Sequence, residues 1–348
     1  MVALSAWLDP HLLYRLLRSL PASEDLVQAQ AKVLAATRLA SELEAVQKPA
    51  EGQVLWYDSR TQTDDQIRSL QAERSSGSID KKALSLLAKL LYETGDYTQS
   101  LTVLKELSKQ GETDLWGLVH AAVASRSEEA GKYVQELSVS TLNSEQRIWL
   151  VHLTLFLSFP EKPSLLLDIS GSEAAGLATA CPHLVKYLLA AYFLALDHKG
   201  LSNFLVATQS QPQVEALAAV ANRTIQSFDF RSAMELFPSA METIRSDFFL
   251  APAADQLGTN IQRFIIETYL RVHSRLSMQE LASYLALSVE ATELWAANLI
   301  RNARMEATIE GGSIRILRGT QSLYAGIIEK TKEAYFRSKV MLSNVKAA

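Results

Sequence analysis

Two stretches decide the fold: Ser277-Met-Gln-Glu-Leu-Ala-Ser-Tyr-Leu-Ala-Leu-Ser288, and further on Ala307-Thr-Ile-Glu-Gly-Gly-Ser-Ile-Arg-Ile-Leu317. Ser277 followed by Glu280 is a capping-box pattern, in which the hydroxyl accepts the third helical amide and the carboxylate reaches back to the Ser277 amide. The helix it opens carries Leu281, Ala282 and Leu285 at helical spacing. Ser288 caps a second helix, with Glu290 and Glu293 near its start and Arg301 and Arg304 near its end, the order the helix dipole favours. Its expected core face is Ala291, Leu294, Trp295, Asn298 and Leu299. Thr308-Ile309 and Ile314-Arg-Ile-Leu317 then flank Gly311-Gly312, a two-residue hairpin signal with positive φ open to both glycines. A long amphipathic helix begins at about Ile261 and another helix follows the hairpin. This order of elements is a winged helix.

Many winged helices read DNA, and this one lacks the residues for it. A recognition helix contacts base edges through Arg, Lys, Asn or Gln in its first turns. Here those positions are Val289, Glu290, Ala291, Thr292 and Glu293. Two carboxylates facing phosphates release no counterions. Sequence-specific DNA binding is not expected, and a protein-binding role is.

Composition bounds the remainder. The 348 residues carry a formal charge of −4, split as +4 over residues 260–348 and −8 over the part before them. A modestly basic end on an acidic body suits polar partner surfaces and falls short of a nucleic-acid footprint. Cys181 is the single cysteine, which excludes an internal disulfide and fits a reducing compartment. The start lacks a basic n-region and soon meets Asp9 and Pro10, so no signal peptide is expected. The longest apolar run, Ile148 to Leu157, is about half a membrane span and contains His152. The expectation is a cytoplasmic protein without a membrane segment.

Working back from the winged helix, helical periodicity dominates. Leu8, Leu12, Leu13, Leu16, Leu17 and Leu20 form one stripe, ended by Pro21, and a second helix is expected from about Glu24 to Lys48. Residues 49–80 offer few apolar anchors and suggest a linker with at most a short helix. Leu84, Leu87, Leu90 and Leu91, then Gly95-Asp96, then Leu101, Leu104 and Leu107 make a helical hairpin of tetratricopeptide character. Phe228-Asp-Phe-Arg-Ser-Ala-Met234 echoes it at an irregular interval, and Pro160, Pro163, Pro182, Pro212, Pro238 and Pro252 are expected at turns between helices. The predicted fold is mainly α: a right-handed helical-repeat solenoid of the tetratricopeptide or HEAT type, then a winged helix and a terminal helix. The predicted boundaries are 1–48 for N-terminal helices, 49–80 for a linker, 81–260 for the solenoid, 261–320 for the winged helix and 321–348 for the terminal helix.

A helical solenoid ending in a winged helix resembles the PCI-domain family. Within it, the residues resemble the e-type subunits of eukaryotic translation initiation factor 3. The resemblance runs through Leu8-Asp-Pro-His-Leu12, Arg147-Ile-Trp-Leu-Val-His-Leu-Thr-Leu-Phe156, Cys181-Pro-His-Leu-Val-Lys-Tyr-Leu188 and Asp247-Phe-Phe-Leu250. It continues through Phe264-Ile-Ile-Glu-Thr-Tyr-Leu-Arg-Val-His273, Leu299-Ile-Arg-Asn-Ala-Arg-Met-Glu-Ala307, Ile328-Glu-Lys-Thr-Lys332 and Phe336-Arg-Ser338. The segments around 49–80 and 108–145 are shorter than the resemblance leads one to expect. It implies a non-catalytic scaffold that assembles with other PCI and MPN subunits, binds the small ribosomal subunit and promotes mRNA recruitment. Any RNA contact it implies is weak or indirect. An equivalent scaffold in a proteasome lid or COP9 signalosome is the alternative that the architecture alone leaves open, and the specific strings favour the initiation factor.

The expected interface follows from strand and helix chemistry. An exposed wing edge can be continued by another strand, with Ile309, Ile314, Arg315, Ile316 and Leu317 beside it. Leu323, Ile327, Ile328 and Tyr335 mark an apolar stripe on the terminal helix that suits a partner helix. Phe248, Phe249, Leu299, Arg301, Asn302 and Arg304 are family-motif positions read as structural, with Phe248-Phe249 as a packing knob and the arginines as helix caps or partners of Glu306. Trp149, Phe156 and Phe159 are read as core. No catalytic, cofactor or metal site is expected: no two of the histidines His11, His120, His152, His183, His198 and His273 stand at zinc-ligand spacing, Cys181 reads as a buried structural thiol, and Gly171-Ser-Glu-Ala-Ala-Gly176 lacks the ending of a phosphate loop.

Overall fold

The computed structural model describes residues 7–20, 23–46, 54–76, 79–111, 113–159, 161–208, 216–273, 275–285, 287–303, 307–316, 327–328 and 330–339. It is mostly helical, and it forms two compact units: residues 1–218 with 239–257, and residues 219–238 with 258–348.

The first unit begins with α1 (Pro10–Arg18), α2 (Glu24–Leu34) and α3 (Ala40–Val46). The helix expected from 24 to 48 is thus broken in two. Thr37 accounts for the break: its hydroxyl donates to the Leu34 carbonyl at 2.8 Å and accepts the Leu39 amide at 3.4 Å, so a side chain replaces helical partners. The segment expected as a linker is also corrected, because α4 spans Val54–Ser76. Its sequence lacks an apolar stripe but also lacks Pro and Gly, and it is rich in Gln, Arg and Ser with Leu and Ala. Tertiary anchors hold it: Arg74 forms a bidentate ion pair with Glu106, and Ile67 and Leu70 pack on the core of the next hairpin.

That hairpin is α5 (Lys81–Glu93) and α6 (Tyr97–Lys109). Gly95 takes φ +91°, and a Cβ there would stand 2.6 Å from Leu39 Cδ2, so both backbone and space demand glycine. Asp96 caps α6 through the Gln99 amide, and Ser100, small enough for close approach, donates to the Ala88 carbonyl at 2.8 Å. The sequence string Leu8-Asp-Pro-His-Leu12 docks on this hairpin. Asp9 caps α1 and accepts the Tyr92 hydroxyl at 2.9 Å, while His11 Nδ1 meets the Tyr97 hydroxyl at 3.0 Å. Burial drives the His11 pKa down and raises that of Tyr97 to about 12.

From there helices pack mostly on their neighbours in sequence: α7 (Leu115–Ala124), α8 (Ala130–Val139), α9 (Ser144–Ser158), α10 (Pro163–Ser170), α11 (Ala174–Ala180), α12 (Val185–Ala195), which packs on α10, and α13 (His198–Ala207). This is the expected run of helical repeats. Pro163 starts α10, and Pro182 and Pro252 sit in short 3-10 turns, as breakers should. Pro238 does not. It lies inside α15 (Phe230–Ser246), which begins in the second unit and ends in the first, so the chain passes its own division in a helix rather than a turn.

The second unit holds most of α14 (Ala216–Ile225), the start of α15 and most of α16 (Ala254–Val272), then the winged helix. Asp229 caps α15 through the Ser232 amide at 3.2 Å, the same role Asp96 plays for α6, as the Asp-aromatic echo anticipates. The winged helix follows as β1 (Arg275–Ser277), α17 (Met278–Leu285), α18 (Val289–Ala303), β2 (Ala307–Glu310) and β3 (Ser313–Ile316). Its core joins Ile266, Leu270, Leu276, Met278, Leu281, Leu285, Ala296, Leu299 and Ile314.

Local details agree with the sequence in part. Gly311 and Gly312 take φ +57° and +71° in the tight turn, and the Ser288 hydroxyl accepts the Ala291 amide at 3.3 Å. The Ser277 hydroxyl takes the Gln279 amide rather than that of Glu280, because Ser277 is committed to a strand. The expected two-stranded wing has a third strand, in the order β1-β3-β2.

Candidate functional site

The surface of the winged helix is the natural candidate, and strand order decides which part of it can act. β3 pairs antiparallel on both sides, Leu276↔Ile314 with β1 and Ile309↔Ile314 with β2. Its backbone is therefore spoken for. Ile314, expected at an interface, is instead fully buried, pointing into the core from the central strand. Ile309 and Ile316 pack half-buried against the same core, so β2 keeps an outer edge with Ile309 beside it, unpaired among the described residues. Arg315 is exposed and stands directly opposite Arg275, with Thr308 opposite it on the other side. Two like charges across a strand pair repel each other. They leave a basic stripe on the outer sheet face. Leu317, Leu323 and Arg304 lie outside the described residues.

The face of α18 is rotated from its expected phase. Thr292, Ala296 and Leu299 are buried and Trp295 half-buried, while Ala291 and Asn298 are exposed and Leu294 is 67% exposed. Ala296, Leu299 and Trp295 pack on the winged-helix core and fix the phase, and Thr292 on the same face satisfies its hydroxyl on the Ser288 carbonyl at 2.8 Å. Leu287, Val289 and Leu294 are each exposed apolar residues in a region where a DNA reader would present polar groups. Arg301 and Asn302 are exposed near the end of α18, and Glu306 lies outside the described residues.

Residues 330–339 are helical, and every one of them is exposed. Tyr335 and Phe336 are each 64% exposed, and Ile327 and Ile328 just before them are more than half exposed. The Tyr335 and Phe336 rings lie 6.2 Å apart in an edge-on pair. No helix among the described residues is long and apolar enough to cross a membrane.

The first unit holds two polar centres. Asp247 gathers four donors: the Tyr187 hydroxyl at 2.9 Å, Lys186 Nζ at 2.7 Å, and the amides of Phe249 at 2.9 Å and Leu250 at 3.3 Å. Phe249 beside it is 5% exposed and meets Phe156 and Tyr187 edge-on at 4.9 and 5.6 Å. Phe248 is half-buried. Phe249 is expected as a knob between the repeats and the PCI helices; its sockets here are α9 and α12, within its own unit. Trp149, read as core, is 49% exposed, while its neighbours Leu150, Val151 and Leu153 on α9 are buried.

The second centre was invisible in the sequence. His152 of α9 and His183 of the 182–184 turn meet through their Nε2 atoms at 2.8 Å, although they are 31 residues apart. Cys181 Sγ lies within 4.8 Å of both. His152 Nδ1 donates to the Ile148 carbonyl at 2.7 Å, and Trp7 stacks over the ring at 5.8 Å. Burial lowers the His152 pKa to about 4, lowers that of His183 with help from Lys186, and raises that of the Cys181 thiol. Three metal-competent donors converge here.

Helical repeats run into a winged helix, and residues 239–313 match the PCI domain family. Within that class the chain resembles the E-type subunits of eukaryotic translation initiation factor 3. It is 30% identical over 253 residues to the E-type protein of Aspergillus terreus, covering 65% of this chain and 57% of that one. It is 32% identical over 212 residues to the Emericella nidulans protein of the same name, covering 56% and 47%. The E-1 form from Drosophila willistoni is 26% identical over 345 residues, covering 91% and 79%. The chain thus spans about half the length of the fungal relatives it matches.

Proposed function

We propose that the chain is a non-catalytic scaffold subunit of an initiation factor 3 assembly. It joins other PCI and MPN subunits through the free edge of β2 and the helix around residues 330–339. Through that assembly it serves small-ribosomal-subunit binding and mRNA recruitment in the cytoplasm, with RNA contact weak or indirect. Residues 81–260 act as the repeat part, 261–320 as the winged helix and 321–348 as the helix contributed to a bundle.

The observation that carries this reading is the wholly exposed helix at 330–339, with Tyr335 and Phe336 in water. Apolar area left outside costs about 25 cal/mol per Å² relative to burial, and an amphipathic helix recovers it in a partner's groove. An open strand edge beside Ile309 adds backbone hydrogen bonds to the same kind of encounter. The names of the relatives supply the assembly. Affinity purification of the tagged full chain, with mass spectrometry and a sucrose gradient, tests it. Recovery with PCI and MPN subunits that sediment with small ribosomal subunits is expected. Recovery with proteasome-lid or signalosome subunits away from ribosomes would move the chain to that other scaffold.

A further inference from the structure

We propose that His152 Nε2, His183 Nε2 and Cys181 Sγ form a binding site for one zinc ion, with a fourth position open to water or an exogenous ligand. The site goes beyond scaffolding and stands on separate residues of the first unit.

The donor set is the first argument. Two imidazoles and a thiol suit a borderline-soft ion such as zinc, whereas calcium and magnesium require oxygen. All three atoms lie within 4.8 Å of one another. In a tetrahedral zinc site, bonds of about 2.0 to 2.3 Å place neighbouring donors roughly 3.3 to 3.7 Å apart. The imidazole pair at 2.8 Å needs only to open slightly around an ion.

The second argument is the fixed tautomer. The Ile148 carbonyl can only accept, so the contact at 2.7 Å puts the His152 proton on Nδ1 and leaves the Nε2 lone pair free. A backbone carbonyl holding the far nitrogen is the outer-shell arrangement of ligating histidines. In the metal-free state His183 Nε2–H donates to His152 Nε2. On binding, the His183 proton moves to Nδ1 and stays with the ring, both Nε2 lone pairs bond to zinc, and Cys181 loses its thiol proton to solvent. One proton is released per ion.

The third argument is position. His152 and Cys181 are buried, His183 is half-buried, and Trp7 covers one face of His152, which leaves an approach on the His183 side. The ion would tie α9 to the turn that starts α12. The neighbouring cation Lys186 is already paired with Asp247 at 2.7 Å.

The test uses the full chain, purified without a histidine tag and stripped with a chelator. Titration with Co²⁺ should give a thiolate-to-cobalt charge-transfer band and intense visible bands saturating at one ion per chain. Zn²⁺ should displace it one for one, release one proton per ion and shield Cys181 from a thiol reagent. Cys181→Ser should lose the charge-transfer band, and His183→Gln should weaken zinc binding about tenfold or more, with the circular dichroism of the metal-free chain retained. If either variant folds poorly, the wild-type titration decides alone. Absence of the charge-transfer band at saturating cobalt overturns the proposal, as does zinc affinity that a folded His183→Gln leaves unchanged.

Discussion

Phe249 and Phe336 carry the same side chain in opposite circumstances. The first is 5% exposed, clamped edge-on by Phe156 and Tyr187 beside the fully satisfied Asp247. The second is 64% exposed on a helix that buries none of its described residues. An aromatic ring contributes to folding only when its own chain covers it. Where the chain does not, the same ring is available for association. In the first unit Phe249 serves stability, whereas Tyr335 and Phe336 of the second unit are left exposed.

The contrast can be broken at several points. Phe249→Ala should cost about 3–5 kcal/mol, read as a drop in the denaturation midpoint, and an unchanged midpoint would put the ring on the surface. Ile314→Ala should follow at about 2–5 kcal/mol, because this residue fills the winged-helix core from its central strand. It should be seen as loss of the winged helix before the repeats in hydrogen exchange. Tyr335→Ala with Phe336→Ala should leave the melting temperature of the isolated chain where it is, yet weaken partner capture by roughly 2 kcal/mol or more. Equal capture by wild type and variant would remove the helix from the interface. Ser288→Ala should cost about 1 kcal/mol by uncapping α18, measured by chemical denaturation. Smallest of all, Arg315→Thr should stabilise the isolated chain by about 0.2–1 kcal/mol, since it removes a like charge opposite Arg275. If the basic stripe meets an acidic partner, the same variant will bind less well.

The sequence legibility of the chain follows from how local each signal is. The Gly311-Gly312 turn, the Ser288 cap and the Gly95 hairpin are set by a few neighbouring residues and are readable. β1 is not, because Arg275-Leu-Ser277 offers one apolar residue and no alternation; it becomes a strand only when β3 arrives. α4 escaped the pattern because tertiary anchors at Ile67, Leu70 and Arg74 hold a helix without an apolar stripe. The phase of α18 follows the packing of Ala296 and Leu299 on the distant core, which leaves Leu294, expected in the core, on the outside. Of the residues expected at an interface, Arg315, Ile327, Ile328 and Tyr335 are exposed and Ile314 belongs to the core, since burial depends on tertiary packing that the sequence pattern does not show. The His152–Cys181–His183 cluster depends on how α9 packs against a distant turn, and no spacing rule reaches across 31 residues.

The sheet order also has a temporal side. Arg275 pairs with Arg315, so the first strand of the sheet waits 40 residues for its neighbour. During synthesis at about 5–20 residues per second, that wait lasts a few seconds. Until β3 emerges, β1 is an open template and Leu276 an uncovered apolar group. The winged helix can close only after β3 has been made, so its sheet forms later than the repeats that precede it.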